Sequence, residues 1–354
     1  MPADDAIRVP GEKLFELAKG ILTSAGVPDQ DAADTANCLI TANLRGVDTH
    51  GVIRLKVYTD RLRAGGNNPT PDVQTVRDTP TSAVIDADNA LGPVGGARAM
   101  RLAMEKAAAA GVGMVAVRRG NHYGPAGHYA MMATEQDMIG VSMTNVLASM
   151  PPTGGRQALV GNNPVAIAIP AGEEPPVVLD IATSLSSWGK VFACAQSGEP
   201  LPANCYLDSD GNPTLDPADI LGGGGCLLPI ASYKGYGMAL VISVLTGLLA
   251  DGLFDPDIPH PYNFLDKGGE NAFFQAAVRV DQFADVAHFK ARMDETIRLV
   301  RHSPRAPGAD RIYLPGEKEH ETFSERSTNG IPLNAKMAEE LKALAAQAGV
   351  DCPF

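Results

Sequence analysis

The sequence contains few of the residues that hold disulfide-rich or zinc-binding proteins together. Five cysteines are spread over 354 residues, and no two of them form a Cys-x-x-Cys pair. An odd number of widely separated thiols argues against a disulfide framework and against a cysteine zinc site. The acidic N-terminus also lacks the apolar core of a signal peptide. We therefore expect a cytoplasmic protein, where thiols stay reduced, without a metal centre.

Long apolar runs and clusters of basic residues are also missing. The longest uncharged stretch, residues 235–250, is shorter than the roughly 20 residues that a bilayer-spanning helix needs, and it predicts a buried helix instead. Asp and Glu (41) outnumber Lys and Arg (29), which gives a net charge of −12. Such a charge repels nucleic acid and anionic membranes. A small anionic ligand would have to bind through a few local cations.

Three common nucleotide-binding or catalytic motifs are absent. The Gly-x-Gly-x-x-Gly sequence of Rossmann folds has its nearest counterparts at residues 92–96 and 111–113, and both lack the third glycine. Gly189-Lys190 has no glycine five positions before Gly189, which excludes a phosphate-binding P-loop. A Gly-x-Ser-x-Gly nucleophile elbow does not occur either. The sequence therefore does not indicate an ordinary dinucleotide fold, a P-loop enzyme or a serine hydrolase.

The hydrophobic pattern changes in a regular way along the chain. Helical spacing marks the N-terminal part and ends at Gly65-Gly66-Asn67-Asn68-Pro69. Short β-branched strands then alternate with helices over residues 83–195, and a strand at 276–280 and an amphipathic helix at 283–300 follow. A last helix comes after Pro332. The pattern and the length predict an α/β protein of two or three lobes that begins with helices.

The segment Asp48-Thr49-His50-Gly51-Val52-Ile53-Arg54 is the first candidate site. Residues 49–63 have helical spacing, which would place His50 and Arg54 side by side on one face. Arginine can hold a carboxylate by two parallel contacts, and histidine, with a pKa near 6.5, can exchange a proton with a neighbouring carbonyl group. The alternative is a helix start capped by Asp48 or Thr49, with a surface arginine paired to an acid.

A second candidate site follows the strand predicted at 112–117. The segment from Asn121 to Tyr129 contains two histidines and lies where α/β proteins bind ligands, at the carboxyl end of a strand. His122 is a candidate ligand-binding residue, whereas we expect His128 to be structural. The alternative for His122 is a loop whose glycines only form the turn.

Polar residues also end the next strands and begin a later helix. Thr144-Asn145, Gly161-Asn-Asn-Pro164 and Asp180-Ile-Ala-Thr-Ser184 each follow an apolar run. Asp180 needs a partner at the edge of a core, and an imidazolium or a ribose hydroxyl would serve; capping of the next helix is the alternative. Lys234 and Gly235 begin the predicted buried helix, where they could bind phosphate or simply allow close packing. Glu317 ends a turn and could face a ribose hydroxyl or solvent.

Taken in order, eight motifs resemble the malate/L-lactate dehydrogenase family of the non-Rossmann type. They are Asp48-Thr-His-Gly-Val-Ile-Arg54, Asn121-His-Tyr-Gly124, Thr144-Asn145, Pro152-Thr-Gly-Gly155, Gly161-Asn-Asn-Pro164, Asp180-Ile-Ala-Thr-Ser184, Lys234-Gly-Tyr-Gly237 and Pro315-Gly-Glu317. The resemblance spans nearly the whole chain. The family includes malate, lactate, sulfolactate and ureidoglycolate dehydrogenases, diketogulonate reductase and piperideine-2-carboxylate reductase.

The resemblance implies a homodimer with an unusual NAD(P)-binding α/β fold, in which helices flank a mixed sheet and a helical lobe stands at the N-terminus. It implies His50 as the acid/base residue, Asp180 as its associated carboxylate and Arg54 as the clamp for the substrate carboxylate. His122 would lie near substrate and nicotinamide, and Thr49 beside the substrate. The positions that match cofactor-lining segments are Thr144, Asn145, Asp180, Ile181, Ala182, Lys234, Gly235, Gly316 and Glu317.

The resemblance also implies three lobes and an activity. Residues 1–70 with 331–354 would form a helical dimerisation and catalytic lobe, 71–118 with 226–330 a central substrate lobe, and 119–225 the NAD(P)-binding lobe. The expected reaction is NAD- or NADP-dependent interconversion of a small 2-hydroxy acid and its 2-oxo acid. Reduction of a cyclic or N-methyl 2-imino acid is the first alternative. A non-catalytic binding protein or a metal-dependent lyase is the second.

Overall fold

The computed structural model describes residues 7–354. Its helices are α1 (Gly11–Ser24), α2 (Asp29–Leu44), α3 (Leu55–Ala64), α4 (Gly92–Ala110), α5 (Ala126–Thr134), α6 (Trp188–Ser197), α7 (Pro217–Leu221), α8 (Tyr233–Thr246), α9 (Val286–Arg301), α10 (Glu317–Asn329) and α11 (Ala335–Ala348). Its strands are β1 (Ile7–Val9), β2 (Gln74–Asp78), β3 (Ser82–Asp86), β4 (Val112–Gly120), β5 (Met138–Thr144), β6 (Val165–Ile169), β7 (Val177–Ile181), β8 (Tyr206–Leu207), β9 (Cys226–Leu227), β10 (Asn271–Arg279) and β11 (Ile331–Leu333).

The largest sheet has seven strands in the order β2-β3-β4-β10-β5-β6-β7. Strands β3 and β4 are parallel, because α4 carries the chain back between them, and the other neighbours are antiparallel. Helices α4 and α5 pack against the central strands, and α8 contacts β4, β5 and β10. The predicted mixed sheet with flanking helices is confirmed.

The N-terminal helices share one hydrophobic core with the sheet. Leu14, Leu39 and Leu55 of the helices belong to the same buried cluster as Val117 of β4 and Phe273 of β10. A second, smaller cluster gathers buried side chains from α6, α7, α8, the β8-β9 hairpin and the loops before it: Met150, Val160, Val191, Cys194, Leu201, Tyr206, Ile220, Leu227 and Ala239. The division into three lobes remains a prediction.

Two expectations about helices are corrected. The helix predicted over 49–63 begins only at Leu55, because Gly51 adopts an extended conformation (ψ −151°) that separates two 3₁₀ turns, Asp48–His50 and Val52–Arg54. The stretch 235–250 is not a fully buried helix. Helix α8 ends at Thr246, and apolar side chains on its outer side, such as Val241 (56% exposed), face solvent in the single chain.

The segment Tyr233–Ala250 is long and apolar enough to cross a membrane by length and composition, a criterion that core helices of soluble proteins also meet. Five of its apolar side chains are between 41% and 56% exposed: Met238, Val241, Val244, Leu248 and Leu249. The side that faces the protein carries small or β-branched residues, including Ala239, Ile242 and Thr246. Because both sides are apolar, the sequence pattern could not distinguish a core helix from one with an uncovered face.

Strand β10 contains one buried polar side chain that the fold does not satisfy. Gln275 is fully buried, opposite Val115 of β4 and Ser142 of β5. Neither its amide oxygen nor its amide nitrogen has a hydrogen-bond partner within residues 7–354. An unsatisfied buried amide destabilises the folded state.

Replacement of Gln275 by methionine should therefore stabilise the fold, because methionine keeps the length of the side chain and removes both polar atoms. We expect the free energy of unfolding to rise by about 1–3 kcal/mol, measured by urea denaturation. Gln282→Met, at an exposed position after the same strand, is the control and should change little. A less stable Gln275→Met variant would show that the amide has a stabilising role.

Candidate active site

A large cleft opens between the N-terminal helices, the ends of the sheet strands and the start of α10. Its volume is about 1590 Å³, which exceeds the ~300–1,000 Å³ of most small-molecule sites. Nine of the predicted site residues line it: Thr49, His50, Arg54, His122, Thr144, Asp180, Ile181, Ala182 and Gly316. Residues that are far apart in sequence thus meet in one cavity.

The segment that carries His50 is shaped by the side chain of Asn43. The Asn43 amide oxygen accepts from the Val52 N–H (2.8 Å), and its amide nitrogen donates to Asp48 (2.6 Å). A Cβ at position 51 would lie 2.2 Å from the same amide oxygen, so only glycine fits there. Asp48 is also held by two hydrogen bonds from Arg326 (2.7 and 3.0 Å). Asp48 therefore positions this segment and does not cap a helix.

Arg54 forms no salt bridge with an acidic side chain of residues 7–354, in contrast to the alternative of a surface arginine paired to an acid. Its Nε donates to the Thr49 carbonyl (2.7 Å), and its Nη1 donates to the Tyr262 hydroxyl. The guanidinium lines the cleft together with His50 and Thr49. Since neutral groups hold it, its charge remains available to an anionic ligand.

His50 and His122 form a stacked pair. Their ring centroids are 5.4 Å apart, with 23° between the ring planes. Burial, followed by the charge of Arg54, lowers the pKa of His50 to about 4. Burial, Arg54 and His50 together lower the pKa of His122 well below its ordinary value. Both rings are therefore neutral at pH 7 in the ligand-free protein.

Aromatic residues hold His122 and the segment that carries it in place. The Tyr58 hydroxyl lies 2.8 Å from His122 Nδ1, which leaves Nε2 as the ring nitrogen without that contact. The next residue, Tyr123, stacks on Phe273 of β10 (centroids 4.5 Å apart) and on Tyr129 of α5 (4.8 Å). Both contacts anchor the segment to the core. Tyr58 follows Arg54 by four residues, and this helical spacing is the signal by which sequence reasoning could have found it.

Asp180 lies near the end of β7, and its side chain is exposed to the cleft. The walls of the cleft nevertheless enclose the carboxyl group and keep most bulk water away from it. Burial raises the pKa of this carboxyl group to about 6, against the opposing effects of the Gly127 N–H and Arg45. Its Oδ2 accepts from the Gly127 N–H (2.8 Å) in the first turn of α5. Within residues 7–354 no hydrogen bond joins Asp180 to His50, and the association of the two residues remains a prediction. Asp180 does not cap the following helix either, since Ser187 caps α6.

Four predicted cofactor residues do not line the cleft: Asn145, Lys234, Gly235 and Glu317. Asn145 is buried, where it accepts from the Ala272 N–H (2.7 Å) and donates to the Leu253 carbonyl (3.1 Å). Glu317 accepts hydrogen bonds from Arg301 (2.9 Å), Arg311 (2.7 Å) and the Leu314 N–H (2.9 Å). These two residues support the walls of the cleft from outside.

Lys234 and Gly235 lie in the first turn of α8. Lys234 is exposed and lies away from the cleft, and a Cβ at position 235 would come within 2.2 Å of the Ile230 carbonyl oxygen. In the single chain, the close-packing alternative therefore describes Gly235. The predicted phosphate site does not open into the cleft.

Sequence reasoning missed three further residues on the cleft wall: Arg45, Trp188 and Tyr262. Arg45 makes no side-chain hydrogen bond to residues 7–354, and burial lowers its pKa while Glu319 and Asp180 counteract that effect. Trp188, the single tryptophan of the chain, forms an apolar part of the wall together with Phe192. None belongs to a motif, so only the folded structure reveals them.

The cleft fits a dinucleotide in size and in the groups it presents. Asp180 can accept hydrogen bonds from ribose hydroxyls, Arg45 offers an unused guanidinium to phosphate, and Trp188 offers an aromatic surface. His50 and His122 line the same cavity. Among residues 7–354, no three His, Cys, Asp or Glu side chains come together as they would around a metal ion.

Comparison with known proteins places the chain in a family. The model of the malate/L-lactate dehydrogenase family matches residues 9–342. A malate dehydrogenase from Pyrococcus abyssi is 38% identical over 98% of this chain and 96% of its own length. An L-sulfolactate dehydrogenase from Methanocaldococcus jannaschii is 37% identical (95% and 96%), and a ureidoglycolate dehydrogenase (NAD(+)) from Escherichia coli O157:H7 is 30% identical (92% and 93%).

Solved structures agree with this assignment. A malate dehydrogenase from Entamoeba histolytica superposes with a TM-score of 0.94 at 33% identity and covers 99% of this chain and 100% of its own. A Δ1-piperideine-2-carboxylate reductase from Pseudomonas syringae superposes with a TM-score of 0.87 at 28% identity (96% and 100%). The chain belongs to the malate/L-lactate dehydrogenase family. It is an oxidoreductase of the hydroxy-acid dehydrogenase type, as the sequence motifs predicted.

The electrostatics of the histidine pair can be tested by removing one charge. Arg54→Gln should raise the pKa of His50 above about 4 but not back to 6.5, because burial, the larger cause, remains. Histidine NMR titration measures this shift, with Arg63→Gln on the exposed side of α3 as the control. Because the folded-state pKa lies below the unfolded one, protonation of His50 destabilises the fold as the pH falls from 6.5 through 4. Arg54→Gln should lessen that loss, and an unchanged pKa would contradict the assigned cause.

Proposed function

We propose that this protein interconverts a small 2-hydroxy acid and its 2-oxo acid with NAD or NADP as the hydride carrier. The observation that supports this most directly is the stacked pair of His50 and His122 beside Arg54 in a dinucleotide-sized cleft. A 2-oxo acid carries a carboxylate next to a carbonyl group. Arg54 offers a contact for the first, and an imidazole N–H offers a proton to the second.

The cofactor would lie along the wall formed by Thr144, Asp180, Ile181, Ala182 and Gly316. When bound, a nicotinamide supplies or accepts the hydride at the carbonyl carbon. The carboxylate of Asp180 would hold ribose hydroxyls, and the Arg45 guanidinium would pair with phosphate. Thr49 and Arg54, which line the cleft together with the two histidines, would lie on the substrate side.

His50 is the proposed proton donor and acceptor, and His122 a second substrate contact. In the free protein the charge of Arg54 opposes protonation of His50. A bound carboxylate neutralises that charge, so substrate binding itself should raise the pKa of His50 and favour the protonated form. Asp180 would add a negative potential from the other side of the cleft without a direct contact. His50 would therefore become protonated, and able to donate a proton, only when an anion is bound beside Arg54.

The experiment is a panel of pyruvate, oxaloacetate, sulfopyruvate and piperideine-2-carboxylate with NADH and NADPH, followed by the absorbance of the reduced nicotinamide. We expect reduction of at least one 2-oxo acid, and a loss of about 10²–10⁴-fold in kcat for His50→Asn. Quenching of Trp188 fluorescence by NADH should be retained in that variant, because Trp188 lines the cleft and the substitution leaves the proposed cofactor contacts unchanged. His122→Asn should mainly raise KM.

Three outcomes would contradict the proposal. No reduction of any member of the panel would exclude the activity, and near-normal turnover by His50→Asn would exclude its acid/base role. Loss of turnover in His122→Asn with normal turnover in His50→Asn would assign proton exchange to His122 instead.

Reduction of a 2-imino acid is the second candidate, and the similarity to a piperideine-2-carboxylate reductase favours testing it. An imine also carries an adjacent carboxylate, so Arg54 would serve both substrates. The difference lies in the protonated atom, which is nitrogen in an imine and oxygen in an oxo acid. Preferential turnover of piperideine-2-carboxylate in the panel would identify the protein as a 2-imino acid reductase.

We further propose that the protein is a cytoplasmic homodimer. All five cysteines are free thiols, which fits a reducing compartment. The uncovered apolar face of α8 and of the 3₁₀ turn after it, formed by Met238, Val241, Val244, Leu248 and Leu249, is 41–56% exposed in the single chain. An apolar patch on one helix can bury itself against the same patch of a second copy.

Val241→Asp should therefore weaken self-association, because it places a charge in the middle of the proposed interface. Analytical ultracentrifugation should show a dimer for the native sequence and a shift toward monomer for the variant. Leu299→Asp is the matched control, since Leu299 is an exposed apolar residue (74%) on α9, outside that face. A native protein that sediments as a monomer, or a Val241→Asp variant that remains dimeric, would argue against this interface.

A further inference from the structure

A loop of residues 260–267 forms part of the cleft wall beside the histidines. His260, Pro261, Tyr262, Asn263 and Leu265 line the cavity. The loop has no strand or α-helix within it and is closed by short turns, such as the bond from the Phe264 N–H to the His260 carbonyl (3.2 Å). Its position must therefore be fixed by contacts from other parts of the chain.

Tyr262 presents its hydroxyl group directly to Arg54. The Arg54 Nη1 donates to the phenol oxygen. Because that oxygen accepts a hydrogen bond from a cation, its own O–H remains available as a donor to a third group. Tyr262 is 47% exposed and lies on the cleft wall, so a ligand held by Arg54 comes within its reach.

We propose that Tyr262 binds the same anionic group as Arg54, and that Arg61 is the residue that positions it. This inference rests on the proposed function, since the anion is taken to be the carboxylate of a 2-oxo or 2-imino acid. A guanidinium and a phenol that share a hydrogen bond present adjacent donors to one carboxylate. Tyr262 would then contribute to substrate affinity, whereas proton exchange remains with the histidines.

Arg61 is a buried cation (4% exposed) that forms no salt bridge within residues 7–354. All of its polar contacts are to neutral oxygen atoms. Three are carbonyls of the loop: Pro261 (3.1 Å), Phe264 (2.8 Å) and Lys267 (2.6 Å). Burial of a guanidinium destabilises the folded state unless its N–H groups donate hydrogen bonds. Displacement of the loop would remove three of these bonds from Arg61, and this loss opposes movement of the loop.

The remaining contacts of Arg61 tie the loop to the rest of the site. Its Nη2 donates to the side chain of Asn121 (2.9 Å), the residue before His122, and its Nε donates to Asn67 (2.9 Å). The approach of the loop is close, because a Cβ at position 66 would lie 2.0 Å from the Leu265 carbonyl oxygen. Arg61 therefore fixes the distance between the histidine segment and the loop that carries Tyr262.

The test measures binding of oxalate, which has two adjacent carboxylates, to the NADH-saturated protein by isothermal titration calorimetry. Tyr262→Phe keeps the ring and removes the donor, and should raise the Kd for oxalate about 10-fold, since one hydrogen bond to a charged group is lost. The affinity for NADH, followed by Trp188 fluorescence, should not change. The control is Arg63→Gln, which replaces an exposed arginine on the same helix and should bind oxalate normally.

Arg61→Lys should weaken oxalate binding in the native background, because a single ammonium cannot reach all three loop carbonyls. In the Tyr262→Phe background the same change should have little further effect on the Kd, since the group it positions is already absent. A merely structural role would lower the melting temperature and affect oxalate binding equally in both backgrounds.

Each negative result would contradict a different part of the inference or of the proposed function. An unchanged Kd in Tyr262→Phe, or no oxalate binding by the native protein, would overturn the inference. Additive effects of the two substitutions would overturn the positioning role of Arg61. A native protein that binds oxalate through Tyr262 but reduces no member of the substrate panel would support the anion pocket and remove the proposed function.

Discussion

The site depends on one electrostatic constraint: His50 and His122 are enclosed beside the guanidinium of Arg54, and both imidazoles are neutral in the ligand-free protein at neutral pH. Burial, followed by the charge of Arg54, lowers the pKa of both histidines and so keeps them neutral. Among the described residues 7–354, the Arg54 cation has no carboxylate partner, and two neutral imidazoles lie beside it. An entering anion relieves the repulsion, so binding and proton transfer are coupled by the same charge.

The fold maintains this pocket by joining distant segments through buried polar groups. Asn43 and Arg326 shape the turn before His50, Tyr58 fixes His122, and Arg61 holds the loop of Tyr262. The aromatic stack that begins at Tyr123 connects this arrangement to the central strand β10. Rigidity of this kind reduces the reorganisation needed when the substrate arrives.

The sequence allowed much of the fold and part of the site to be predicted. Strands β4, β6 and β7 and helices α4, α9 and α11 were visible in the hydrophobic pattern, because period and length both report on burial. His50, Arg54, His122 and Asp180 were found because each lies in a short motif at the end of an element. The helix through residue 50 was wrong, since the interruption at Gly51 depends on the Asn43 side chain, which no local pattern reveals.

Other features depend on contacts over long separations and were not predictable in this way. Arg61 and the carbonyls it binds are about 200 positions apart. Asn145 and Glu317 likewise have hydrogen-bond partners that the fold brings to them, and their sequence motifs do not reveal that neither side chain lines the cleft of the single chain. The uncovered side of α8 was mistaken for core because hydropathy does not show what covers a helix.

The strand order has a consequence for how the protein is made. Strand β10, which lies between β4 and β5, is more than 125 residues downstream of β5 in the chain. During synthesis β4 and β5 must therefore wait, with unpaired edges, until residue 279 has left the ribosome. The two halves of the sheet can join only after β10 has emerged, and the nascent chain passes through a long interval in which chaperones would shield those edges from other nascent chains.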